Sequence, residues 1–79
     1  MIGPAHVEWT EDALDDWKRL SLGDARAVAE AVHRWATTGA GIVIATEGGE
    51  YLLFVGEYVV EFLVDTSTHT MHVCKVRRS

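Results

Sequence analysis

Apolar residues recur along the chain with two different periods, and the change falls near residue 40. Ala13, Leu14, Trp17 and Leu20 are spaced three and four apart, as are Ala25, Val28, Ala29, Val32, Trp35 and Ala36. That spacing gives each segment one apolar stripe in a helix. Thr10 stands where an N-cap belongs, with Glu11 and Asp12 in the first turn to complement the helix dipole. Ser21-Leu22-Gly23-Asp24 fits a capping box for the second helix. That helix runs to about Thr37 and is stopped by Gly39 and Gly41. With almost no loop between them, the two helices are expected to form an antiparallel hairpin.

Before the helices, His6-Val7-Glu8-Trp9 reads as a short strand. After them the pattern turns β-branched and aromatic. Ile42-Val43-Ile44 is extended, Glu47-Gly48-Gly49-Glu50 is a turn, and Tyr51 to Val55 is a strand. Gly56-Glu57 makes a tight turn into a strand from Tyr58 to Val64, and glycine at the first central position suits type II′. Asp65-Thr66-Ser67-Thr68 turns the chain into a last strand, Thr70 to Val76. The expected fold is α+β, in the order β-α-α-β-β-β: an antiparallel sheet with a helical hairpin on one face, as one domain over residues 1–79.

Placing the turn at Gly56-Glu57 also assigns faces. Val55 then opposes Tyr58, Phe54 opposes Val59, Leu53 opposes Val60 and Leu52 opposes Glu61. One face carries Tyr51, Leu53, Val55, Tyr58, Val60, Phe62 and Val64; as the larger set, it is assigned to the helices. The other carries Leu52, Phe54, Val59, Glu61 and Leu63. Two helices cover one face of a sheet, so the second set is left as an apolar patch of the kind that marks an interface. Glu61, the one acid in that set, fits two roles equally. It can pair with a partner's arginine, or it can discourage edge aggregation.

Composition narrows the partners. The chain has 79 residues, is 48% hydrophobic and carries a net charge of −5. A domain this small buries only about 60–65% of its unfolded surface, and small domains without staples often gain stability from a partner. Cys74 is the sole cysteine, so it has no partner within the chain for a disulfide. Nucleic-acid backbones are bound chiefly through lysine and arginine, which an acidic total opposes. Acidic residues crowd Glu8 to Asp16, while Lys75, Arg77 and Arg78 gather at the other end. No stretch approaches the ~20 apolar residues of a membrane span. Met1-Ile2-Gly3-Pro4 lacks the basic and apolar regions of a leader, so the expected compartment is the cytoplasm.

Candidate chemistry is sparse. Arg77 and Arg78, with Lys75, can hold a phosphate at the end of the last strand, or be a solvated terminus. His69 and His72 are three apart, on opposite faces of a strand, which does not suit a shared metal. His33, beside Arg34, is placed toward solvent. Cys74 has neither a CxxC pattern nor a neighbouring histidine and reads as a structural thiol. Neither Gly3-Pro4 nor Gly39-Ala40-Gly41 lies between a strand and a following helix, as a phosphate loop does. No cofactor or metal is expected.

Four stretches resemble one family throughout the chain: the first strand with WTEDALDDWKRL, then VHRWATTG, GEYLLFVGEYVVEFLVD and VCKVRRS. Together they are similar to the RelE/ParE superfamily, the small toxins of bacterial type II toxin–antitoxin pairs. The resemblance implies that fold, an antitoxin partner, and either ribosome-dependent mRNA cleavage or inhibition of gyrase. It also isolates three departures. Leu52, Phe54 and Val59 stand where the family pattern has arginines, which in the mRNA endonucleases bind the phosphate being cleaved. Leucine, phenylalanine and valine offer neither charge nor donors for that. The sequence ends at Ser79 without the pattern's terminal tyrosine, and its charge is acidic where the family tends to be basic. Arg77 and Arg78 are the remaining candidates for catalysis by resemblance. Two functions are therefore expected to compete. One is a toxin of weak or lost nuclease activity. The other is a non-enzymatic member that uses Leu52, Phe54, Val59, Glu61 and Leu63 to hold a partner or a second copy of itself.

Overall fold

The computed structural model describes residues 6–79; Met1 to Pro4, and with them the leader reading and Gly3-Pro4, lie outside the described residues. The chain order is β1 (His6–Trp9), α1 (Glu11–Lys18), α2 (Leu22–Thr38), β2 (Ile42–Ala45), β3 (Tyr51–Val55), β4 (Tyr58–Asp65) and β5 (Thr70–Arg78). The strands form one sheet in the order β1-β5-β4-β3-β2. The α+β class holds, with two refinements. Ile42–Ala45 is a full strand on β3, which adds one strand to the expected order. The sheet is mixed, because β1 runs parallel to β5 while every other pair is antiparallel. Parallel neighbours need a long crossover, here both helices and three strands, which no local pattern announces.

Local chemistry sets the element ends. Thr10 Oγ1 accepts the Ala13 N–H at 3.2 Å to start α1, and Ser21 Oγ accepts the Asp24 N–H at 3.2 Å to start α2. Gly39 ends α2 in the left-handed region at φ 75°, its N–H on the Trp35 carbonyl at 2.8 Å. Gly56 has a positive φ of 56° and Glu57 does not, which is the signature of the type II′ turn.

The hairpin register matches the expected one pair for pair, so the faces are as assigned. Leu53, Tyr58, Val60 and Phe62 pack against Ala13, Val28, Val32 and Ala36 of the helices, joined by Met71, Val73 and Val76 of β5. The Trp35 ring lies tilted 4.7 Å from the Phe62 ring and Tyr51 stacks on Phe62 at 5.4 Å. Trp17 ties the helices together through Nε1–H on the Ala25 carbonyl at 2.8 Å.

β5 contains a bulge. Glu61 pairs with Lys75 but Phe62 pairs with Val73, so Cys74 is an extra residue. Met71 and Val73 are buried before it, and Val76 after it, so the alternation changes phase at Cys74. The thiol is half-buried, and desolvation pushes its pKa above the ordinary cysteine value.

Gly41 sits where the chain leaves α2 for β2. Its φ is 141°, and a Cβ there would lie 3.1 Å from Leu53 Cδ1 and 3.7 Å from Trp35 Cδ1. Gly41→Ala should therefore destabilise the fold by about 1–3 kcal/mol through backbone strain and crowding. A thermal melt checks this; an unchanged midpoint would refute the strain argument.

Candidate functional site

The sequence points to one basic tip and one apolar face as the places for candidate chemistry. The structure relates the two differently. β5 runs to Arg78, two residues beyond its expected end, so Arg77 and Arg78 belong to a paired strand rather than a solvated tail. Successive strand residues point to opposite faces, and the two guanidinium groups separate accordingly.

Arg77 opposes Val59 and lies on the outer face, the side of the sheet away from the helices. Its Nε donates to Glu61 Oε2 at 2.6 Å. Glu61 thus has its partner within the chain, an arrangement neither sequence reading of this residue contained. The cation is balanced by that carboxylate.

Arg78 opposes Tyr58 and turns toward the helix side. Its Nη1 donates to Glu57 Oε2 at 3.1 Å and its Nη2 to the Tyr58 hydroxyl oxygen at 3.2 Å, with the guanidinium 5.1 Å from the centre of the Tyr58 ring. The Tyr58 hydroxyl in turn donates to Asp24 Oδ2 at 2.8 Å. That hydrogen bond is the main reason the Tyr58 pKa is raised, with desolvation second. Asp24 occupies the acidic position of the Ser21 capping box in sequence, but its carboxylate ties the first turn of α2 to the hairpin. Asp24, Tyr58 and Arg78, with Asp16, Arg19, Leu20, Ser21, Val76 and Arg77, line an open cleft of about 390 Å³. Each described cation at this end of β5 has a carboxylate within 4 Å: Arg19 and Lys75 share Asp16, Arg77 meets Glu61 and Arg78 meets Glu57.

The outer face is apolar across three strands. Leu52 and Phe54 are half-buried and Leu63 is 42% exposed. Val59 is only 2% exposed. It is therefore the floor of the patch, enclosed by its cross-strand neighbours Phe54 and Arg77, and offers little contact surface itself. Ile42 and Ile44, opposite Phe54 and Leu52, extend the patch to the sheet edge and are 69% and 51% exposed. The sequence reads Ile42-Val43-Ile44 only as extended, and a run that is apolar throughout does not say which of its residues share a face with Leu52 and Phe54. At the far side of the face His72 Nδ1 lies 3.4 Å from Glu8 Oε1.

No family model matches the sequence, and no curated protein does. Solved structures do. A RelBE2 toxin–antitoxin complex from Mycobacterium tuberculosis contains a chain that superimposes with a TM-score of 0.81 at 22% identity, covering 100% of this chain and 95% of that one. A chain of the intact RelBE toxin–antitoxin complex of E. coli matches with a TM-score of 0.77 at 12% identity over 95% of this chain and 96% of that one. The isolated E. coli RelE toxin matches with a TM-score of 0.74 at 14% identity, covering 95% of this chain and 84% of that one. Fold survives such divergence while site chemistry need not, and the conclusion is one of architecture: this chain has the fold of the RelE toxins.

Proposed function

We propose that this protein is the toxin of a type II toxin–antitoxin pair, acting in the cytoplasm, with an antitoxin as its partner and its nuclease activity weakened. The observation that carries the reading is the likeness over essentially the whole chain to proteins solved with antitoxins bound. The weakening follows from the outer face. Leu52, Phe54 and Val59 supply no charge there, and Arg77 is held by Glu61 at 2.6 Å. A cation already balanced by a carboxylate stabilises a phosphoryl transition state less, since preorganised charge must be free to meet the charge that develops. Ribosome-bound mRNA and gyrase are the two targets the resemblance implies, and Arg77 and Arg78 are the residues to test.

The same face supports a second reading, a non-enzymatic module that holds a partner through Leu52, Phe54 and Leu63, with Val59 and Glu61 beneath and beside them. Tightly controlled induction in a bacterial host separates the two. Slowed growth with the parent, relieved in an Arg77→Ala/Arg78→Ala double variant at equal folded-protein level, is the expected outcome. Full-rate growth with abundant folded parent would overturn the toxin reading in favour of the module.

A further inference from the structure

The β2 edge has features that the outer face alone does not explain. β2 is the last strand of the sheet and is hydrogen-bonded only to β3. The Thr46 N–H donates to the Glu50 carbonyl at 2.9 Å, which sets the parity of the ladder. Ile44 and Ile42 direct their backbone groups toward β3, and Val43 and Ala45 direct theirs away from it. Those outward N–H and C=O groups have no partner among the described residues.

Natural sheets protect such an edge with lysine, proline, a bulge or a covering segment. Ile42-Val43-Ile44-Ala45 contains no charge and no proline, and the bulge of this sheet lies at Cys74. The opposite edge differs. β1 carries exposed Glu8 and leads directly into Glu11 and Asp12, so pairing β1 with its own copy would bring like charges together. In a chain of net charge −5, β2 is the neutral edge.

We infer that β2 pairs antiparallel with β2 of a second copy of this chain, about a twofold axis, to join the two sheets into one. The strand is self-complementary in a register that sets Ile44 opposite its symmetry mate. Val43 of one copy then faces Ala45 of the other, and both members of each such pair present outward groups, so the two pairs exchange four backbone hydrogen bonds. The Ile44 pair occupies a non-hydrogen-bonded site, where side chains approach most closely. Ile42 falls opposite Thr46, and Glu47 opposite Gly41, so no like charges meet. A twofold contact needs only this one patch, used twice. The contact covers Ile42 and Ile44, the two most exposed large apolar residues of the sheet.

A four-residue edge is a small interface, so the expected affinity is about micromolar. The test is the mass in solution, by light scattering or sedimentation, from well below to well above that concentration. The parent should rise from 8.7 kDa to twice that mass. Ala45→Pro removes an outward N–H and no bond to β3, and the side chain is exposed, so it should stay monomeric with the parent's melting behaviour. Ile44→Lys opposes two cations across the axis and should also stay monomeric, which keeps the test decisive if the proline variant fails to fold. Phe54→Arg, on the face rather than the edge, should still dimerise. A parent that stays at 8.7 kDa throughout overturns the inference, as does a dimer that survives Ala45→Pro and Ile44→Lys but is lost in Phe54→Arg, which would point to packing of the two outer faces. The readout is mass and not growth, so its failure is separate from failure of the toxin reading.

Discussion

Phe62→Ala should leave little of the protein folded near its parent's melting temperature, with the midpoint lowered by roughly 15–30 °C. Phe62 is fully buried, with the Trp35 ring at 4.7 Å and the Tyr51 ring at 5.4 Å. Truncating a buried phenylalanine costs about 3–5 kcal/mol, because the lost transfer energy adds to a cavity the surroundings refill only in part. Here the ring contacts with its two aromatic neighbours go as well. A 79-residue domain has only roughly 4–12 kcal/mol to lose, at about 0.05–0.15 kcal/mol per residue. Each kcal/mol lowers the midpoint of a domain this size by about 4–8 °C. Calorimetry or a circular-dichroism melt reads the result directly. A drop of only a few degrees would show that Trp35 and Tyr51 collapse into the space, and that the core is far more plastic than its packing indicates.

The second large effect concerns a residue with no apolar role. β1 stops at Trp9, opposite Val73, while β5 continues to Arg78. The exposed flank of β5 is closed by α1 and its cap. The Thr10 N–H donates to the Val73 carbonyl at 3.0 Å, the Thr10 hydroxyl to the Cys74 carbonyl at 3.2 Å, and Asp16 Oδ2 accepts the Val76 N–H at 3.1 Å. Asp16 is mostly buried, with Lys75 Nζ at 3.8 Å and Arg19 Nη1 at 3.5 Å. Asp16→Ala leaves a part-buried N–H without its acceptor and should cost roughly 1.5–3 kcal/mol, the usual range for a hydrogen bond to a charged group. The urea midpoint should fall with an unchanged slope, and the Val76 amide should exchange faster. Asp16→Asn keeps an oxygen in reach and should recover part of the loss. Asp15→Ala, one residue away and exposed, should change stability by less than about 0.5 kcal/mol. If Asp15 and Asp16 behaved alike, the acidic run would be a solvated face throughout, as composition alone suggests.

What could be read from the sequence was local or repeated. Thr10, Ser21 and Gly39 announce helix ends through short-range hydrogen bonds, and they cap where expected. Gly56-Glu57 dictates the hairpin, so four cross-strand pairs and both faces followed from counting outward. The parts that were not legible depend on distant segments. Asp16 meets Val76 across sixty positions, and its neighbours Asp12 and Asp15 carry the same chemistry without that role. Glu61 meets Arg77 only because the bulge at Cys74 shifts the β4–β5 register by one from a count outward from the Asp65–Thr70 turn, and no local pattern announces that bulge. The apolar departures at Leu52 and Phe54 were visible as composition. That Ile42 and Ile44 continue them needed β2 to be recognised as a strand, and four residues are too few for alternation to announce itself.

The bulge at Cys74 gives β5 slack in length. Residues from Lys75 onward are already paired as though Cys74 were absent, with Glu61 on Lys75, Val60 on Val76 and Val59 on Arg77. The extra residue is looped out of the count rather than passed down the strand. Removing it would leave Val76 in the core, Arg77 over Glu61 and Arg78 over Tyr58. Without the bulge, the same extra residue would push Val76 into water and swap the two arginines between faces. Cys74 is thus a spacer whose length the fold absorbs, and the placement of both arginines is insulated from it.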